Sequence, residues 1–194
     1  MIIFDIETTG LDPVKHSVIE MGALDFNDPS NQFYQKCRIF DGAEVDPMAL
    51  EVNGYNNSQL IDSNKISLEE MIVNFIEWIG RIDDRTIGGH NVDFDISFLN
   101  ETLKRCNIKW DFGWRKVDQH SLVYCHHLKR NKKMPIKNGV SSLNGDRIMS
   151  YVGLPNESRP HTGLNGAKFE AEAISRLIYG KGLLEEFRKF NIPK

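Results

Sequence analysis

Cysteine is scarce: the 194 residues hold three, Cys37, Cys106 and Cys125. None stands at zinc-ligand or Cys-x-x-Cys spacing, so they read as free thiols of a reducing compartment. No apolar run approaches the ~20 residues that span a bilayer, which argues against a membrane partner. No basic segment followed by an apolar one opens the chain. The sequence therefore predicts no secretory signal and a cytoplasmic protein. There is no repeat, low-complexity tract or linker-like stretch. The length suffices for one well-buried domain and is short for two, so residues 1–194 are expected to form a single domain. Net charge is only -3, but it is unevenly spread. Residues 1–100 hold 6 Lys+Arg against 18 Asp+Glu, residues 101–150 hold 11 against 4, and the remainder 7 against 5. A basic stretch on an acidic chain can guide a polyanion towards acids that hold cations, although from charge alone a solvated basic face is the better reading.

The chain is organised around Met1-Ile2-Ile3-Phe4-Asp5-Ile6-Glu7-Thr8-Thr9-Gly10. Met1 to Phe4 have the pattern of a strand buried on both faces. Residues two apart on a strand share a face, so Asp5 and Glu7 project side by side and Ile6 turns away. Neighbouring carboxylates repel each other and lose hydration in an apolar sheet. A divalent cation is the simplest compensation, and oxygen ligands suit Mg²⁺ or Mn²⁺. The plainer alternative is a strand end whose acids face water.

Residues 18–26 and 32–40 read as further strands, and short turns make the three an antiparallel meander. Residues 46–55 read as a short helix ending at Gly54. Ser67-Leu68-Glu69-Glu70 is a capping box, followed by Met71, Ile72, Phe75 and Ile79 at helical spacing. Residues 86–90 form a short strand, and Asn91 to Asp95 open a helix fading near Cys106. Residues 114–118 read as an edge or parallel strand and 119–128 as a helix. A basic loop spans 130–139. Helices are expected over 142–152, 164–178 and 183–190. This order predicts an α/β domain with a mixed five-stranded sheet, its site at the strand C-terminal ends.

Three segments carry polar groups in a telling order: Phe4 to Pro13, His90-Asn91-Val92-Asp93-Phe94-Asp95, and His161-Thr162-Gly163-Leu164-Asn165-Gly166. Together they resemble the DEDDh 3′–5′ exonucleases, the family of proofreading exonuclease domains, RNase T and oligoribonuclease, over residues 1–180. The resemblance implies an RNase H-like α/β fold, a sheet flanked by helices. It implies two Mg²⁺ or Mn²⁺ ions held by Asp5, Glu7 and Asp95, with Asp93 solvated. It makes His161 the general base, a role suited to an imidazole titrating near neutrality. Thr8, Thr9, Gly10, Asn53 and Asn91 would lie against the terminal nucleotide of a single-stranded nucleic acid or 3′ overhang. Arg115, Lys116, Lys129, Arg130, Lys132 and Lys133 would meet phosphates. Homodimers occur among such proteins, so a homodimer is compatible with the resemblance.

The sequence departs from the family at one position. The metal-binding Asp expected five residues after His161 is replaced by Gly166. The implied activity, release of nucleotides from 3′ ends of single-stranded DNA or RNA, would be impaired. Three explanations stand: an introduced or accidental change in an otherwise active enzyme, a catalytically dead nucleic-acid-binding or protein-interaction module, or a substitute acid. Because the other motif residues fit the active pattern, the first is preferred. The substitute would be Glu170, one turn on, whose plainer reading is a solvated helix residue.

Overall fold

The structure is a computed structural model describing residues 1–193. Its axis is β1 (Ile2–Thr8), the middle strand of a five-stranded sheet with β2 (Val18–Asp25), β3 (Gln32–Lys36), β4 (Ile87–Gly89) and β5 (Lys116–Asp118), in the order β3-β2-β1-β4-β5. The first three strands pair antiparallel, because their turns are short. β4 joins β1 in parallel, and β5 joins β4 in parallel. Parallel neighbours need a long crossover. Helices α1 (Pro47–Asn53), α2 (Asn57–Leu60) and α3 (Leu68–Ile79) fill the first, and α4 (Val92–Arg105) the second. Then follow α5 (Gln119–Lys129), the hairpin β6 (Ile136–Lys137) and β7 (Val140–Ser141), α6 (Gly145–Tyr151) and α7 (Gly163–Tyr179).

The alternation of β1 decides what covers each face of the sheet. Ile2, Phe4 and Ile6 point to one side, into a core with Met71, Ile72 and Phe75 of α3 and with Phe98 and Leu99 of α4. Full burial of one such side chain contributes about 1.5–3 kcal/mol. Ile3 points to the other side, against Ala167, Ala171 and Ile174 of α7. Asp5 and Glu7 share that second face, so α7 is the helix that covers the acids. The capping box at the start of α3 is formed. Ser67 Oγ accepts from the Glu70 N–H at 3.1 Å, and Glu70 Oε2 accepts from the Ser67 N–H at 2.8 Å.

Three expectations are corrected. The third strand stops at Lys36, not Phe40, because the chain then leaves β2: the Arg38 N–H donates to Ile66 O and the Ile39 N–H to Leu60 O. The basic loop contains the β6–β7 hairpin, turned at Asn138 (φ 53°) and Gly139 (φ 81°), and the helix after it starts at Gly145 with Asn144 as its cap. The Asn-Gly turn is a strong hairpin signal. The helix expected over 183–190 is only a 3-10 turn, Glu185–Phe187. Its backbone groups are taken by a buried ion pair on α7. Arg176 donates to the carbonyls of Phe187 and Phe190, and Glu172 accepts from the N–H groups of Leu183 and Leu184.

Candidate active site

The site forms where the C-terminal ends of β1 and β4 meet the first turns of α4 and α7. Between Glu7 and Thr8 the pairing with β2 slips by one residue, a bulge that re-aims side chains at a strand end. Two glycines bring α7 down onto this edge. A Cβ on Gly22 would stand 1.9 Å from the Leu164 nitrogen. A Cβ on Gly163 would stand 2.7 Å from both Asp5 O and Gly22 N. Helix and sheet therefore touch backbone to backbone beside Asp5.

Asp5 lies on the wall of a cavity of about 190 Å³ that also meets His90, Glu157, His161, Gly166 and Glu170. Desolvation first, and the negative charge of Glu170 second, hold its pKa well above the ordinary carboxylate range. Glu7 is buried and pushed up to about 8, by desolvation and then by Glu20. Asp95, on the first turn of α4, is also buried and pushed up to about 8 by desolvation, against the pull of the Ile6 and Asp95 backbone N–H groups. Asp93 is exposed and pairs with Lys116. Asn91 takes the left-handed conformation (φ 54°) at the turn into α4, where Asn is tolerated. His161 reaches the cavity from the loop before α7, and its backbone N–H donates to Val52 O at 3.3 Å.

The segment after Glu7 is held by its own hydroxyls. Thr8 Oγ1 donates to Gly10 O at 2.7 Å. Thr9 is fully buried, donating to Glu44 O and accepting from the Ser17 N–H. Gly10 packs on the His16 ring, which leaves no room for a Cβ. Asn53 is buried, and its amide donates to Thr8 O at 3.1 Å.

Glu20 escaped the sequence reading. It lies opposite Glu7 on β2 and is fully buried. Its carboxylate accepts from the Tyr55 hydroxyl at 2.6 Å and from the Gly163 N–H at 3.0 Å, and pairs with Lys36 at 3.4 Å. It thus ties the α1–α2 turn, β3 and the start of α7 into one frame behind the acids. The available signal was a lone acid inside an apolar strand. Glu157 also escaped, and the irregular loop that bears it gives no periodic signal. It accepts from the Asn165 amide at 2.8 Å.

Among the described residues no three His, Cys, Asp or Glu side chains are already gathered into a metal-binding group. The donor set nevertheless fits a hard divalent cation. It is all carboxylate, it is buried, its members raise one another's pKa, and one oxygen, Glu170 Oε2, is buried without a hydrogen-bond partner.

The fold is that of the DEDDh-type 3′–5′ exonucleases. The chain belongs to the RNase T family, described as exonuclease, whose family model matches residues 2–173. It is 26% identical over 193 residues to the PolC-type DNA polymerase III of Thermotoga petrophila, covering all of this chain and 12% of that protein. It thus spans about an eighth of that polymerase's length. It is 36% identical over 179 residues to the 3′-5′ DNA exonuclease Cap18 of Escherichia coli, covering 90% of this chain and 88% of that one. The nuclease domain of 3′hExo, a DEDDh family member solved with rAMP, superposes with a TM-score of 0.70 at 17% identity, covering 100% of this chain and 96% of that one. The family generally uses divalent metal ions.

Proposed function

We propose that this chain is a divalent-metal-dependent 3′–5′ exonuclease acting on single-stranded DNA ends. The observation that carries the reading is the group of desolvated carboxylates, Asp5 and Glu7 at the end of β1 and Asp95 on the first turn of α4, with His161 on the cavity that Asp5 lines. Asp5, Glu7 and Asp95 would hold Mg²⁺ or Mn²⁺. Ions held there would supply charge neutralisation to the oxygens of a scissile phosphate. His161 would take the proton of the attacking water. The Thr8 and Thr9 hydroxyls are already spent on backbone carbonyls. This segment therefore offers a terminal nucleotide its fixed shape and leaves the recognition of polar groups to Asn91 and the strand edge. Lys116, which lines a pocket with His90 and Asn91 beside the site, would meet phosphates, contacts that set affinity and not sequence, whereas Lys129 and Arg130 lie with Arg176 and Gly180 at the far end of α7. DNA is favoured because a relative of similar length bears the name of a DNA exonuclease.

Gly166 favours a second reading, a nucleic-acid-binding module that has lost catalysis. The test is release of mononucleotides from 3′-labelled single strands of DNA and of RNA, in EDTA and with Mn²⁺ or Mg²⁺. The exonuclease reading expects release from DNA only with the ion, abolished by Asp5→Asn. Salt-dependent binding without release would favour the second reading. Absence of both would refute the two together.

A further inference from the structure

We propose that Glu170 is the fourth carboxylate of the metal site, taking over from one turn further along α7 the place that Gly166 leaves empty. The proposal rests on the exonuclease reading above and names a ligand within it.

Positions 166 and 170 lie one helical turn apart on the same face of α7. Glu170 does not behave as a solvated helix residue. Its Oε2 is shut off from solvent and has no hydrogen-bond partner. That oxygen lies over the C-terminal end of β4, where a Cβ on Gly89 would stand 2.8 Å from it. Its backbone is fixed as well, since the Gln119 amide donates to Glu170 O at 2.7 Å. The side chain lines the same cavity as Asp5 and His161.

A carboxylate with one oxygen shut off from solvent and left without a partner is costly alone and gains from a cation.

Gly166 fits the same arrangement. A Cβ there would stand 1.9 Å from Asp5 Oδ2, so the Asp5 carboxylate occupies the volume that a side chain at 166 would fill. The loss at 166 and the acid at 170 are two halves of one rearrangement. The other two acids on the cavity are weaker candidates: Asp146 is exposed, and the Glu157 carboxylate already accepts from Asn165.

The experiment is isothermal titration of the full chain with Mn²⁺, comparing the unmodified protein with Glu170→Gln and Glu157→Gln, alongside the nuclease assay. Melting curves in EDTA check that each variant folds. Glu170→Asp, which keeps the charge and shortens the reach, replaces the Gln variant if that one does not fold. The expected result is at least a tenfold weaker Mn²⁺ Kd for the Glu170 variant and a change under threefold for Glu157→Gln. Suppose the unmodified protein binds Mn²⁺ and cleaves while the Glu170 variant keeps its Kd within twofold. Then the Glu170 assignment is overturned and the exonuclease reading survives. If the unmodified protein neither binds Mn²⁺ nor cleaves, both fall.

Discussion

Raising the pH of the metal-free protein should destabilise it, and the size of the effect follows from Glu7. Its pKa moves from 4.5 to about 8 because folding strips its water and places it beside Glu20, Glu157 and Asp95. A carboxyl with a raised folded-state pKa binds its proton more tightly in the native state. The unfolded chain then holds fewer protons than the native one, so stability falls as pH rises. The contribution is fully present below the unfolded value of 4.5 and is lost as pH climbs through about 8. One pKa unit corresponds to about 1.4 kcal/mol, so Glu7 alone gives a loss of about 5 kcal/mol across that interval. For a chain of this size that lowers Tm by on the order of 10 °C. Asp95 shifts in the same direction, but neighbouring acids titrate as a set, so the two contributions are not added. The assay is thermal melting in EDTA between about pH 5 and pH 8.5, repeated with excess Mg²⁺ or Mn²⁺. The cation should remove most of the slope, and Glu7→Gln should flatten the EDTA curve. A Tm that stays level or rises with pH in EDTA would refute the reasoning, because the acids would then be solvated and in no need of a counter-ion.

Gly166→Asp forces the Asp5 carboxylate out of the space it fills, so about 1–3 kcal/mol of stability should be lost in EDTA and recovered with excess Mn²⁺; an unchanged EDTA melt would show that the space is free. His161→Asn should slow nucleotide release by about 10²–10⁴-fold while Mn²⁺ binding, read by titration, stays within twofold. Arg176→Met leaves Glu172 charged and buried, and should cost about 3–5 kcal/mol in denaturant unfolding. Adding Glu172→Gln should return part of that loss.

The strand-edge acids were legible because a period of two fixes which side chains share a face. Asp5 and Glu7 need only the alternation of β1 to be placed together, and the capping box at Ser67 needs only its own spacing. What the sequence hid depends on approach between distant segments. Gly22 reads as one more small residue in a strand, yet it is where α7 rests. Glu170 is one turn from Gly166 on any helix, but helical spacing does not say which face the sheet will cover. The C-terminal segment shows the opposite failure. Leu184 and Phe187 are buried as an amphipathic pattern requires, while the hydrogen bonds a helix would need go to Arg176 and Glu172. Periodicity reports burial and is silent on who owns the backbone.

The contact at Gly22 and Gly163 has a mechanical consequence. Two surfaces held apart by side chains can shear by changing rotamers, whereas backbone against backbone has no such compliance. The start of α7 and the carboxylate edge of β1 therefore behave as one stiff bracket. The position of the His161 ring is therefore set by its own side-chain torsions and by the loop before Thr162, not by sliding of α7 over the sheet.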